Sequence, residues 1–114
     1  MRNQLKRAEI LKKYPKMFKR VKYFEIEDGW LDLLDQLCKL LEPMLEEDQY
    51  ATQVKEKYGG LRVYMTVLSD KAWGIIEQFE EQSKKVCEVC GQPGFVRRNR
   101  GYMQALCDKC NRVR

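Results

Sequence analysis

The chain has 114 residues, 44% hydrophobic and 34% charged, with a net charge of +5, five cysteines and no histidine. A chain of that length suits one domain. It contains no stretch of about eighteen apolar residues, and Met1-Arg2-Asn3-Gln4 opens onto charged sequence, so neither a membrane span nor an export signal is expected and a cytoplasmic location is. The missing histidine removes the usual general base, the histidine-activated nucleophile and every histidine-containing metal site, which favours binding over enzymology.

The net charge conceals a sharper pattern. Residues 1–24 carry nine lysines and arginines against Glu9 alone, residues 25–84 carry six against fourteen acids, and residues 85–114 carry seven against two. Basic ends flank an acidic middle. Such asymmetry either steers a polyanion or holds the termini against the acidic middle of the same chain or of a second subunit.

In chain order, Leu5 to Lys13 has loosely helical spacing and stops at Tyr14-Pro15, because the residue before proline is pushed out of the helical region. Met17, Phe18 and Val21 continue an apolar thread through a lysine-rich segment. Tyr23 to Glu27 alternates and is aromatic and β-branched enough for a short strand, ended by Asp28-Gly29. Asp28 is then placed to cap a helix whose apolar positions Trp30, Leu33, Leu34, Leu37, Leu41 and Met44 recur at three and four residues, with Pro43 at its end. Cys38 sits among those leucines and reads as a small buried hydrophobe.

Tyr50–Tyr58 and Leu61–Leu68 read as two strands joined by Gly59-Gly60, a pair suited to a type I′ turn. A two-residue loop at the glycines sets Lys57 opposite Arg62, Lys55 opposite Tyr64 and Glu56 opposite Val63, giving one apolar and one cationic face. Glu56 then lies on the apolar face and calls for a partner, expected from the basic N-terminal segment. Ser69 is placed to cap a last helix from Asp70 to about Lys84, with Ala72, Trp73, Ile76 and Phe79 buried over the hairpin.

The C-terminal stretch is the most specific. Cys87-Glu-Val-Cys90 and Cys107-Asp-Lys-Cys110 are two CxxC pairs separated by sixteen residues, the spacing of a structural four-cysteine zinc ribbon; two disulfides are the competing reading. Between them run a strand from Phe95, a basic turn Arg98-Asn99-Arg100-Gly101 and a return strand Tyr102 to Leu106. The expected architecture is therefore α+β: helices packed on a small antiparallel sheet around the central hairpin 50–68, forming a body over 1–85, with a zinc ribbon over 86–114. A small body has little core to spare, so a metal contributing on the order of 10 kcal/mol would matter, and chelation is expected to unfold at least the C-terminal quarter.

Two candidate ligand surfaces follow. Lys57 and Arg62, placed as like charges across a ladder, invite an anion between them, and with Lys55, Tyr64 and Tyr58 they suit a phosphate with a base stacked nearby. Arg97, Arg98, Arg100 and Tyr102 make a basic and aromatic finger of the kind that touches nucleic acid.

The run Gln53-Val-Lys-Glu-Lys-Tyr-Gly-Gly-Leu-Arg-Val-Tyr64, with Asp28-Gly-Trp30 before it and Cys87-Glu-Val-Cys-Gly-Gln-Pro-Gly94 and Leu106-Cys-Asp-Lys-Cys110 after it, resembles a family of small zinc-ribbon proteins of bacteriophage and prophage genomes. The resemblance spans most of the chain and implies an accessory protein acting in the bacterial host cell, with no catalytic residue to carry over. The leading expectation is a counter-defence protein that sequesters a small anionic nucleotide signal of bacterial immunity on the hairpin face. The alternatives are a DNA- or RNA-binding accessory protein and a protein-contact inhibitor of a host defence enzyme. No membrane partner is expected, and a homo-oligomer would readily neutralise the basic and acidic regions against each other.

Overall fold

The computed structural model describes residues 2–99 and 101–113. Helix α1 (Gln4–Lys13) begins where the Asn3 side chain accepts the Lys6 N–H at 3.0 Å, and it ends at Tyr14. It is anchored through Arg7, which is only 6% exposed. The Arg7 guanidinium donates to the carbonyls of Phe24 (3.1 Å) and Ile26 (2.7 Å) and to Asp28 Oδ1 (2.9 Å). The segment after α1 buries Met17, Phe18 and Val21, as its apolar thread requires.

The strand expected over 23–27 shrinks to a single parallel bridge between Glu25 and Lys55. The Glu25 N–H donates to Val54 O at 2.9 Å and the Glu56 N–H to Glu25 O at 3.2 Å, after which the chain turns away as a 3-10 helix at Asp28–Trp30. Asp28 does not cap the following helix. Its carboxylate is used by α1, accepting the Asn3 N–H on both oxygens (3.0 and 2.9 Å) as well as Arg7. Helix α2 (Leu31–Leu41) buries Leu31, Leu33, Leu34, Leu37, Cys38 and Leu41, and a 3-10 turn at Glu42–Met44 carrying Pro43 closes it. Glu42 reaches back to accept the N–H groups of Lys16 (2.9 Å) and Met17 (2.8 Å).

Strands β1 (Ala51–Lys57) and β2 (Gly60–Met65) form the expected antiparallel hairpin, but the turn is Tyr58-Gly59 and not the glycine pair. Lys57 pairs with Gly60, Lys55 with Arg62, Val54 with Val63 and Gln53 with Tyr64. The partner strand has slid by two residues, so the two faces survive while every facing pair changes. A helix further along the chain accounts for the slide. In α3 (Asp70–Ser83) the Ser83 hydroxyl accepts the Leu61 N–H at 2.8 Å and Glu80 accepts the Val63 N–H at 3.0 Å, so Leu61 cannot form the closing pair of the turn. These two side chains also occupy N–H groups on β2's outer edge, where a lone hairpin invites unwanted pairing. Ser69 caps α3 as expected, accepting the Ala72 N–H at 3.2 Å. Ala72 and Ile76 are buried, and Trp73 and Phe79 pack partly buried against the core.

The C-terminal unit is a second two-stranded sheet, β3 (Phe95–Asn99) with β4 (Tyr102–Leu106), followed by the short helix α4 (Asp108–Arg112). With the helices, the hairpin and this ribbon-like unit, the protein is α+β. The ribbon is pressed onto the rest at two places. At one, the Gly29 N–H donates to Glu88 O at 2.7 Å and the Trp30 indole to Val86 O at 2.9 Å. A Cβ on Gly29 would lie 2.3 Å from Cys87 O and 2.4 Å from Glu88 O, so only glycine admits the first cysteine knuckle this closely. At the other, a Cβ on Gly59 would lie 2.8 Å from a Val96 methyl, which seats the hairpin turn on β3. No helix among the described residues is long and apolar enough to cross a membrane.

Candidate functional site

The four cysteines expected to act together do come together. The sulfurs of Cys87, Cys90, Cys107 and Cys110 all lie within 4.8 Å of one another, and Cys90 and Cys107 are 3.7 Å apart. Four thiolates at about 2.3 Å around one ion in a tetrahedron stand about 3.8 Å apart, so the arrangement fits a metal ion with no open coordination position. The backbone prepares the charge this requires. Burial opposes ionisation of Cys87, but N–H groups of Cys107, Cys90 and Val89 aimed at its sulfur bring its thiol down to about 6. Cys110, in contrast, is pushed up to about 12 by burial and by its hydrogen bonds to the other thiols, as expected of a cluster that cannot ionise fully without a cation. The fifth cysteine, Cys38, is fully buried on α2, and burial raises its thiol well above the usual range.

The hairpin's outer face carries the expected residues in a different arrangement. Lys55, not Lys57, faces Arg62, and Gln53 faces Tyr64. Acids flank this face on both sides. Glu25, beside Lys55 in the bridge, accepts a hydrogen bond from Gln53 at 2.7 Å, while Arg62 lines a small cleft of about 160 Å³ with Glu77, Glu80 and Glu81 of α3. Burial raises the Glu80 carboxyl, and the charge of Arg62 counters that rise. Glu56 finds a partner within its own turn, its carboxylate accepting the Gly59 N–H at 2.9 Å, and not in the N-terminal segment.

The ribbon arginines divide. Arg97 is internal: it donates to Leu106 O at 3.0 Å and to Asp108 at 2.6 Å, and its guanidinium lies 4.0 Å from the centre of the Phe95 ring. Arg98 is exposed and forms no ion pair among the described residues. Arg100 lies outside the described residues. Tyr102 is 72% exposed. Of the nine N-terminal cations four stand against carboxylates, Arg7 on Asp28, Lys6 on Asp32, Lys13 on Asp35 at 2.9 Å and Arg2 near Glu27 at 3.6 Å, while Lys12, Lys16, Lys19, Arg20 and Lys22 are exposed and form no ion pair among the described residues.

The structure also joins two residue sets that the sequence keeps apart. Tyr58 from the hairpin turn and Arg98 and Tyr102 from the ribbon line one notch of about 330 Å³, together with Glu56, Met103 and Gln104. The signal for this juxtaposition is Gly59, whose missing side chain lets the turn sit on Val96; nothing in the local sequence names Val96 as its neighbour. No protein-family model, no curated protein and no solved structure matches the chain.

Proposed function

We propose that this protein is a non-catalytic accessory protein that binds single-stranded nucleic acid through the end of the molecule where the hairpin turn meets the ribbon, with structural zinc holding that end in shape. One observation carries the reading: once internal pairing is accounted for, exposed cations without a carboxylate partner stand beside exposed tyrosines at that end. Lys57 lies over the Tyr58 ring at 5.6 Å, and Arg98 shares the notch with Tyr58 and Tyr102. Cations to track phosphates and aromatic faces to stack bases are the elements of sequence-tolerant single-strand binding. Zinc is the metal that four thiolates at this spacing select in a closed structural site.

The same geometry ranks the other readings lower. A nucleotide sponge on the hairpin's outer face needs a pocket that encloses most of its ligand, and Lys55 and Arg62 stand on a face bordered by Glu25 and the α3 acids. Inhibition of a host enzyme through the acidic middle has less surface available, because several of those acids hold the N-terminal segment. The resemblance to phage proteins accords with such a binder acting in an infected bacterial cell, against or alongside the host's nucleic-acid machinery.

The test is fluorescence anisotropy of labelled RNA and DNA oligonucleotides across a salt series. Two or three phosphate contacts predict a log-log salt slope of about −1.4 to −2 for a single strand. Changing Lys57 and Arg98 to Glu is expected to abolish binding and leave metal content intact. Binding that ignores salt, or that survives the double substitution, refutes the proposal. Preferential binding of free nucleotides would restore sequestration.

A further inference from the structure

The geometry points to the notch between turn and ribbon as a stacking site for one unpaired nucleobase, walled by Tyr58 and Tyr102, with Arg98 taking the adjoining phosphate. This rests on the nucleic-acid reading above and names the group that the site grips. Three observations converge on it.

The first is the backbone of Tyr58. Its φ of 54° lies in the left-handed region, and it is the one residue other than glycine to do so among the described residues. A type I′ turn asks for Asn, Asp or Gly at its first central position, because an ordinary side chain there crowds its own backbone. Tyrosine is a costly choice, and the fold gains no core packing from it, since the side chain is 66% exposed. Residues held in sparsely populated conformations cluster at ligand sites, where the surrounding structure over-determines them.

The second is rigidity. Gly59 follows at φ 81°, and the position where its Cβ would be is 2.8 Å from Val96 and 3.5 Å from the Met103 backbone, so the turn is seated on the ribbon. Glu56 closes it from within through the Gly59 N–H. Tyr58 and Tyr102 are therefore held on two elements that cannot swing apart without breaking this contact, and the ordering cost of a stacking site is met before the ligand arrives.

The third is the lining. At about 330 Å³ the notch stands at the small end of ligand cavities, a size for a flat fragment and not for a whole cofactor. Tyr58, Tyr102 and Met103 are among the residues that line it, and Arg98 supplies a cation. Glu56 spends one oxygen on Gly59 and keeps the other as an acceptor for an N–H on the base edge. A carboxylate there repels phosphate, which fixes the orientation with the base inward and the phosphate toward Arg98.

The proposal is tested on the metal-loaded full chain with labelled oligo(dC), oligo(rC) and competing free CMP. The variants are Tyr58→Asn, Tyr102→Ala and, as a control on the hairpin's outer face, Tyr64→Ala. Asn relieves the left-handed turn, so Tyr58→Asn is expected to melt at or above the wild-type temperature while losing about 5- to 150-fold in affinity, the worth of one stacked base. Tyr102→Ala, on the other wall, is expected to lose a similar factor, and Tyr64→Ala less than twofold. If the wild type binds oligomers and both notch variants bind within twofold of it, the notch is overturned and the nucleic-acid reading stands. If the wild type binds neither oligomer nor CMP, both fall. If CMP competes as well per site as the oligomer and the notch variants abolish this, the stacking site stands and the strand is replaced by a free nucleotide. Preference between the DNA and RNA oligomers identifies which strand enters.

Discussion

Two basic regions of this protein look alike in composition and behave differently in the structure. Residues 1–24 have the greater excess of cations, and Arg2, Lys6, Arg7 and Lys13 each stand against a carboxylate from residues 27–35, which leaves Lys12, Lys16, Lys19, Arg20 and Lys22 exposed without an ion pair among the described residues. The hairpin–ribbon end has fewer cations, but Lys57 and Arg98 form no ion pair among the described residues and stand with exposed tyrosines. Charge density along a sequence therefore does not by itself locate a ligand surface.

The largest effect expected from breaking this comparison is at the metal. Chelation removes on the order of 10 kcal/mol of binding energy, comparable with the whole stability of a chain this size. Amide protection should be lost over residues 86–113, and nucleic-acid binding with it. Trp30 fluorescence should change as the indole loses Val86 O, its partner at 2.9 Å. Unchanged protection in the presence of a strong chelator would show that the ribbon stands without metal.

Next is Arg7→Met. Removing one member of a buried, hydrogen-bonded ion pair costs about 3–5 kcal/mol, here because Phe24 O, Ile26 O and Asp28 all lose a donor. Denaturant unfolding should show that loss with metal content unchanged. A variant that is destabilised yet binds oligonucleotide normally below its melting temperature would confirm that Arg7 serves the fold.

Acid acts on the same contact more gently. Burial opposes ionisation of Asp28, but the Asn3 N–H and the Arg7 guanidinium hold its carboxyl below the usual range, and Tyr14 and Lys13 do the same for Asp35. A depressed carboxylate stabilises the folded state above its unfolded pKa of about 4, and that contribution is lost as pH falls through the lower folded value. Thermal stability should therefore hold down to about pH 4 and fall below it, and Asp28→Asn should flatten part of that decline. A pH-independent melting temperature from 5 to about 2 would contradict the assignment.

The smallest stability effect belongs to the other basic region. Arg98→Ala should change unfolding free energy by less than about 0.5 kcal/mol, since the side chain is exposed and unpaired, while weakening oligonucleotide binding several-fold and reducing the salt slope by about 0.7. A stability loss as large as that of Arg7→Met would make the two regions equivalent after all.

Much of this was legible in the sequence, and the reason is local chemistry. The CxxC spacing named four ligands that meet, the leucine periodicity of α2 named its buried face, Ser69 named a cap, and the alternation in 53–64 named the two faces of the hairpin, because each depends on residues within a turn or two of one another. The losses have the opposite character. The Gly59-Gly60 pair meets the demand for positive φ more easily than Tyr58-Gly59 does, and only the capture of the Leu61 N–H by Ser83, twenty-two residues away in sequence, settled the turn. Asp28 suited a helix cap until Arg7 and Asn3 reached it from twenty-one and twenty-five positions upstream. Periodicity and cysteine spacing thus determined that this is an α+β protein with a four-cysteine cluster. Tertiary structure decided which cations are spent on carboxylates and which remain for a ligand, and it joined Tyr58 to Arg98 and Tyr102, because pairing over such distances depends on where packing brings two surfaces and no local preference encodes it.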